Sequence, residues 1–553
     1  MNGILILALS LVALGAAYIF YGRWIANSWG IDPNAKTPAY ELEDGVDYVP
    51  ASKPVVFGHQ FASIAGAGPI NGPIIAAMFG WVPVLLWILV GGIFFGAVQD
   101  LAALYASIKN KGRTIGYIIE LYIGKTGKKL FLLFVWLFSI LVVAAFSDIV
   151  AGTFNGFNAD GTFNVANAST AMTSVMFIAA AVIYGFFIHY KKCSTTMTII
   201  TAVLLMIGTV AFGLAFPIYA SKTIWLYLVF VYVFLSCVTP IWALLQPRDF
   251  LNSILLIVMI IGAVAGIFVA NPVINIPAFS GFNVNGQMMF PIMFVTIACG
   301  AVSGFHSLVA SGTTSKQIQN EKDILPVSFG AMLTESCLAV ISLIAVGALS
   351  VGGKLPAGTP PVIFAEAIAG FLSIMGIPQN ASFTIITLAV SAFALTSLDS
   401  VARVGRLAFQ EIFMDSQTDF NTMHPLLKLA TNKYFATVVT LVLSYLLAII
   451  GYQNIWPLFG SANQLLSALA LFALAVFLKR TKRKGFMLWA PMFIMLAVTF
   501  TALFQIIYNI CNKVFLTGNF VIVSDGLQIA FAVLLLALGF LVAVSCIKKL
   551  YAA

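Results

Sequence analysis

Within the apolar stretch 289–310, the run Ser303-Gly304-Phe305-His306-Ser307 places His306 and Ser307 three and four residues after Ser303. In a helix that spacing puts one imidazole and two hydroxyls on a single face. An imidazole titrates near neutral pH, so His306 suits proton uptake and release; the competing reading is a packing histidine near a membrane boundary. Three acids, Asp100, Glu335 and Asp399, stand in comparably apolar surroundings. Ionisable groups in such segments face the protein interior or a water-filled cavity, which makes each a candidate for coupling or gating. Asp399, Arg403 and Arg406 recur at i, i+4 and i+7, so an acid and two bases share a helical face. That row is either a charge relay or gate that breaks when the molecule opens, or a permanent ion pair anchoring its helix, which fits Arg406 better. Asp148 falls at the far end of its apolar segment, where a solvated carboxylate is expected.

Binding chemistry is suggested next by backbone rather than side chains. The segment 57–73 reads Phe-Gly-His-Gln-Phe-Ala-Ser-Ile-Ala-Gly-Ala-Gly-Pro-Ile-Asn-Gly-Pro. Pro69 and Pro73 lack N–H donors and push the residues before them out of the α region. Two half-helices are therefore expected to meet near Gly66–Pro69. Freed N–H groups of the second half suit an anionic group, and freed carbonyls suit a cation. The alternative is a kinked packing helix whose glycines allow close contact. On the first reading Ser63, Gly66, Ala67 and Gly68 form a substrate surface, and His59 with Gln60 either lines the inner vestibule or caps the loop. A second interruption is expected at Ser236-Cys237-Val238-Thr239-Pro240, where Ser236 and Thr239 add hydroxyls to that surface.

The elements that must carry these residues follow from composition. Of 553 residues, 61% are hydrophobic and 8% charged. Soluble domains carry about 25% charge, which excludes a water-soluble enzyme. Windows of about 20 apolar residues give fifteen candidate spans, near 3–22, 57–80, 82–108, 130–151, 170–189, 196–217, 224–245, 251–271, 289–310, 328–350, 383–410, 435–451, 457–478, 486–511 and 526–547. Twenty-three of the 28 Lys and Arg fall in every second loop. The positive-inside rule then places the N-terminus outside and the C-terminus inside. The net charge of +9 thus reports topology and a lipid-bilayer setting rather than nucleic acid. The run 479–484 reads as a stop signal or as a contact for anionic lipid headgroups. Six isolated cysteines and no HExxH or Cys/His cluster argue against a disulfide framework, a metal site, a cofactor or an intramembrane enzyme. Loop 351–382 carries an apolar stretch too short to span, suited to a surface helix or a re-entrant lid.

Two interruptions five spans apart and in opposite orientation mark an inverted repeat. The expected architecture is an all-α polytopic membrane protein of about fifteen helices. It comprises a peripheral N-terminal part (1–56), two halves (57–217 and 218–410) and C-terminal peripheral helices (411–553). The segments 44–50, 57–69, 96–100, 297–307 and 396–403 closely resemble the carbon starvation protein A family, with similarity running from residue 1 to the early 500s. That family usually has two histidines where His59-Gln60 stands here. It is similar to transporters of the amino acid–polyamine–organocation superfamily, which implies a leucine-transporter-type 5+5 fold. The resemblance further implies import of pyruvate or peptides driven by H+ or possibly Na+, across a cytoplasmic membrane. A cation would then sit between Ala65–Gly68 and Ser303–Ser307. A nutrient sensor or a channel without coupled transport is the rival reading.

Overall fold

Apolar segments in a bilayer must satisfy their backbone groups internally, and here they do so as helices. The computed structural model describes residues 2–44, 48–158, 160–190, 195–239, 244–414 and 424–552. In chain order the principal helices are α1 (Gly3–Trp29), α2 (Lys53–Ile64), α3 (Gly68–Phe79), α4 (Trp81–Lys109) and α5 (Lys125–Thr153). Then come α6 (Val165–Tyr190), α7 (Thr195–Ala215), α8 (Lys222–Val238), α9 (Leu245–Ala270), α10 (Met289–Ile297) and α11 (Gly304–Gly312). The remainder are α12 (Ala331–Leu349), α13 (Pro360–Ile374), α14 (Gln379–Ile412), α15 (Lys433–Ala448), α16 (Tyr452–Arg480), α17 (Trp489–Thr517) and α18 (Leu527–Ala552). Among the described residues, eleven helices are long and apolar enough to cross a membrane, and two further spans are bent pairs. With the shorter α7 and α8 they account for all fifteen segments read from the sequence.

Helix ends alternate between two faces. One gathers Gly3 and Trp81 against the 272–278 segment, through Gly3 N–H to Pro272 O (2.8 Å) and Trp81 N–H to Pro277 O (3.1 Å). The other gathers the ends of α1, α4 and α16, where Trp29 Nε1 donates to the Lys484 carbonyl (2.8 Å) and Tyr105 Oη to the Trp29 carbonyl (2.9 Å). Among the described residues, Lys109 at the end of α4 and the run 479–484 after α16 lie on this second face, in line with the alternation of charge.

The interior is built by α16, by the pair α10–α11, and by α5, α12 and α14. The most apolar window of α16 is wholly buried, against 28% for α1 and 39% for α17 at the periphery. Small residues make such burial possible: a Cβ on Gly460 would run into the Val295 carbonyl. Short polar groups complete the seams, as where Trp136 Nε1 of α5 donates to Thr440 Oγ1 of α15 (2.9 Å).

Three expectations need revision. The chain leaves the helix at Thr239 in extended geometry, but this is the end of α8, and α9 begins a separate span at Leu245. Pro240 lies outside the described residues. The second mid-span interruption falls instead between α10 and α11, at Ala298–Ser303, where Ala298 takes φ +31° and Ser303 is extended. Ser303 therefore stands before α11 and not on one helical face with His306. Asp148 is not solvated: it is 3% exposed, ion-paired to Lys222 (2.7 Å) and accepts the Tyr452 N–H (3.0 Å).

Candidate functional site

The first interruption lies where proline and glycine chemistry places it. Ala65 closes α2 by donating to the Phe61 carbonyl (3.0 Å), and Ala67 leads into α3 with Pro69 in its first turn, where an N–H would be unpaired anyway. The two halves bend by 44°. No side chain fits here: a Cβ on Gly66 would lie 2.7 Å from Ser397 Oγ, and one on Gly68 would lie 2.5 Å from the Cys299 Cβ. Cys299 belongs to the second interruption, so the two broken helices meet break against break. Gly66, Ala67 and Gly68 are fully enclosed in this conformation. Ser63 Oγ and both amide atoms of Asn71 are buried without a hydrogen-bond partner among the described residues. Nearby, Ser397 Oγ donates to the Ser63 carbonyl (3.1 Å).

Toward one face the broken helices are met by a cavity of about 340 Å³ lined in part by Ile74, Ile75, Ile292, Thr296, Ile363 and Trp456. Its wall includes Leu355, Pro356 and Gly358 of the segment before α13, and Pro360 and Ile363 of α13 itself. Ile74 lies six residues beyond Gly68, roughly 9 Å along a helix. The volume is within the range of small-molecule pockets.

On the other side of the second break lies the first charged cluster. His306 Nδ1 stands 3.0 Å from Asp100 Oδ2 and Nε2 stands 3.3 Å from Glu335 Oε2. The three side chains come from α11, α4 and α12, and all are wholly buried. Fully ionised, the trio carries one net negative charge out of reach of water; one further proton makes it neutral. Unpaired buried charge is costly, so a change of proton number here alters the packing energy of the helices that hold it. Polar side chains of α4 and α16 hold the break beside the trio. Gln99 Nε2 donates to the Ser303 carbonyl (2.6 Å), Ser303 Oγ to Asn463 Oδ1 (3.1 Å), and Asn463 Nδ2 to Cys299 Sγ (3.3 Å). Ser307 Oγ bonds back to the Gly304 carbonyl of its own helix (2.6 Å).

A second cluster closes the basic-loop side. Asp399 accepts from Ser236 Oγ and Tyr232 Oη (2.8 Å each) and pairs with Arg248, which is 1% exposed. Asp249 contacts the Arg248 guanidinium (3.2 Å) and faces His59 Nδ1 at 3.6 Å. Arg403 donates to the Ser236 carbonyl and, at 3.0 Å, to that of Thr239, while Arg406 donates to Cys237 O (2.7 Å). Two cations thus satisfy the orphaned carbonyls at the C-terminus of α8, with charge and dipole aligned. Thr239 Oγ1 bonds back to Leu235 O (2.9 Å), and Gln60 accepts from Thr314 Oγ1.

The sequence-predicted residues therefore fall into three places. Ser63, Gly66, Ala67 and Gly68 lie at the first break, with Ser303 at the second break that meets it; Asp100, His306 and Glu335 form one cluster, and Ser307 stands beside His306 on α11, bonded to its own helix. Ser236, Thr239, Asp399, Arg403 and His59 form or flank the other, away from the break. Sequence reasoning missed Arg248, which looked like one more basic loop residue, and Asn463. The adjacent Asn463-Gln464, two amides inside an otherwise apolar span, was the available signal for the latter.

The chain matches the sequence profile described as "Carbon starvation protein CstA" over residues 2–355 and 353–502. It is 31% identical to the "Peptide transporter CstA" of Bacillus subtilis (strain 168), covering 99% of this chain and 97% of that protein. It is 30% identical to the "Pyruvate/proton symporter BtsT" of Escherichia coli (strain K12), over 84% of this chain and 76% of the relative. Among solved structures it is similar to MhsT in complex with L-phenylalanine, with a TM-score of 0.51 at 14% identity, covering 82% of this chain and 98% of that one. That likeness is one of fold, of the leucine-transporter type.

Proposed function

The chain belongs to the carbon starvation protein CstA family, and on that premise we propose that it imports a small carboxylated nutrient, a peptide or pyruvate, by proton-coupled alternating access. One observation carries this reading: two mid-span breaks packed against each other, with a sealed imidazole between two carboxylates directly behind them. Broken helices offer main-chain dipoles to a guest, and the buried trio offers a place for the coupling proton. Substrate arrives through the cavity under α13 and reaches Ser63 and Asn71, whose unpaired polar atoms it satisfies. The Asp399–Arg248 cluster is the closed inner gate. The basic loops on its side support a cytoplasmic placement, with the N-terminus outside and the C-terminus inside.

The repeat boundaries belong to the same proposal. Taking the interrupted helices as the first member of each half places the halves at 53–270 and 289–480, with α6 and α7 inserted. That division replaces the 57–217 and 218–410 halves. It also gives each half one short helix, Ile115–Tyr122 in the first and α13 in the second.

The test is uptake of labelled pyruvate and of a labelled dipeptide into proteoliposomes, with proton and sodium gradients imposed separately. Accumulation of either substrate under the proton gradient alone is expected. Accumulation under sodium alone would replace the coupling ion. Binding without accumulation would favour a sensor, and unsaturable flux a channel.

A further inference from the structure

The run Lys479, Arg480, Lys482, Arg483 and Lys484 joins α16 to α17 and takes no part in either buried cluster. Two of its cations are already engaged. Lys479 Nζ donates to the Leu550 carbonyl at the end of α18 (2.7 Å), and the Arg483 guanidinium lies over the Tyr105 ring at 5.1 Å. The loop backbone is pinned as well, through Trp29 Nε1 and the Lys484 carbonyl (2.8 Å). Arg480, Lys482 and Lys484 remain exposed and make no ion pair among the described residues. Arg23, in the last two turns of α1, and Lys548 and Lys549, near the end of α18, are exposed as well.

The patch is strongly cationic, with exposed Asp32, two residues beyond the Gly30 that adjoins Arg483, as the acid at its margin. No Asp or Glu occurs in residues 2–31, 479–517 or 527–552, the segments that build it. Neutralising helix C-termini would need fewer cations than this, and Lys479 already serves α18. Just toward the apolar spans lies an aromatic layer. Trp24 meets Phe486 edge-on at 6.0 Å, and Trp24, Phe486 and Trp489 are all exposed. Tryptophans at helix ends sit at headgroup level, and clustered Lys and Arg immediately beyond a span attract anionic lipid.

Apolar helix, aromatic ring and cation thus follow one another in the order of acyl chain, glycerol region and phosphate. We propose that Arg480, Lys482 and Lys484, with Trp24 and Trp489 beneath them, bind the headgroup of an anionic phospholipid. Dissolved phosphate would use the cations and leave the aromatic layer without a role. Because the 479–486 loop is tied to α1 and α4 by Trp29 and Tyr105, a bound lipid also braces the basic-loop face.

The test is native mass spectrometry of the full chain, offered phosphatidylglycerol and phosphatidylcholine in equal amounts. Retention of phosphatidylglycerol is expected to exceed that of phosphatidylcholine by about fivefold or more. In R480Q/K482Q/K484Q the preference should vanish, while R480K/K482R/K484R, which keeps the charge, should retain it. Equal retention by the wild type overturns the proposal, as does an unchanged preference in the glutamine variant. Glycerol phosphate in excess should leave the lipid bound; displacement would assign the patch to free phosphate instead.

Discussion

Replacing His306 with alanine is expected to abolish proton-driven accumulation while leaving substrate exchange measurable. His306 is the only base facing Asp100 and Glu335 among the described residues, at 3.0 and 3.3 Å. Without it, two carboxylates confront each other in a sealed site, and the cluster loses the group through which one proton can serve both. A gradient of one pH unit supplies about 1.4 kcal/mol per coupled proton, equivalent to roughly tenfold accumulation. The accumulation ratio in His306→Ala proteoliposomes should therefore fall from about ten to about one under that gradient. Counterflow of labelled against unlabelled substrate, which needs no net proton movement, reports whether the variant is folded. Unchanged accumulation would remove His306 from the mechanism.

The second large effect concerns the inner cluster. Asp399→Ala leaves Arg248 wholly buried with its principal counter-charge gone, while Asp249 remains beside it. Breaking one partner of a buried pair costs about 3–5 kcal/mol, so a sharp fall in thermal stability is expected. The change Asp399→Leu with Arg248→Met and Asp249→Asn removes the pair together with the carboxylate that Arg248 also holds, and should recover most of that stability, because the paired charges contribute little net energy. If the cluster is the inner gate, this combined variant folds but rests more often open to the basic-loop side. Accessibility of that side to a membrane-impermeant reagent measures this. A stable Asp399→Ala protein, or a combined variant no more stable than the single one, would contradict the burial argument.

Much of this was legible in the chain because bilayer physics is strict. Fifteen apolar segments and an alternating charge pattern follow from backbone satisfaction and insertion rules, and the folded chain retains every one of those segments. The first break was legible for a covalent reason, since Pro69 and Pro73 cannot donate. The second was not: residues 298–303 contain no proline, and their departure from the helix shows in the positive φ of Ala298 and in Cys299, which packs against Gly68. Thr239-Pro240 gave a stronger local signal yet marks only where α8 stops. Local chemistry reports that a helix must end, not whether another continues its line.

The site shows the same division. Asp100, His306 and Glu335 each stood out as ionisable groups in apolar spans. That they face one another is a fact of tertiary packing which spacing along three separate helices cannot supply. Arg248 misled because a single basic residue between spans looks like a topology signal, whereas here it is turned inward onto Asp399.

The most direct measurement uses Cys299, a thiol already in place where the two breaks touch. With the other five cysteines replaced, membrane-impermeant thiol reagents are applied to either side of oriented proteoliposomes, with and without pyruvate or a dipeptide. If the broken helices part to admit substrate, Cys299 labels slowly without substrate, and one of the two compounds protects it. A thiol that stays unreactive from both sides under every gradient, or that reacts equally whether substrate is present or not, would contradict a transport site at the paired breaks.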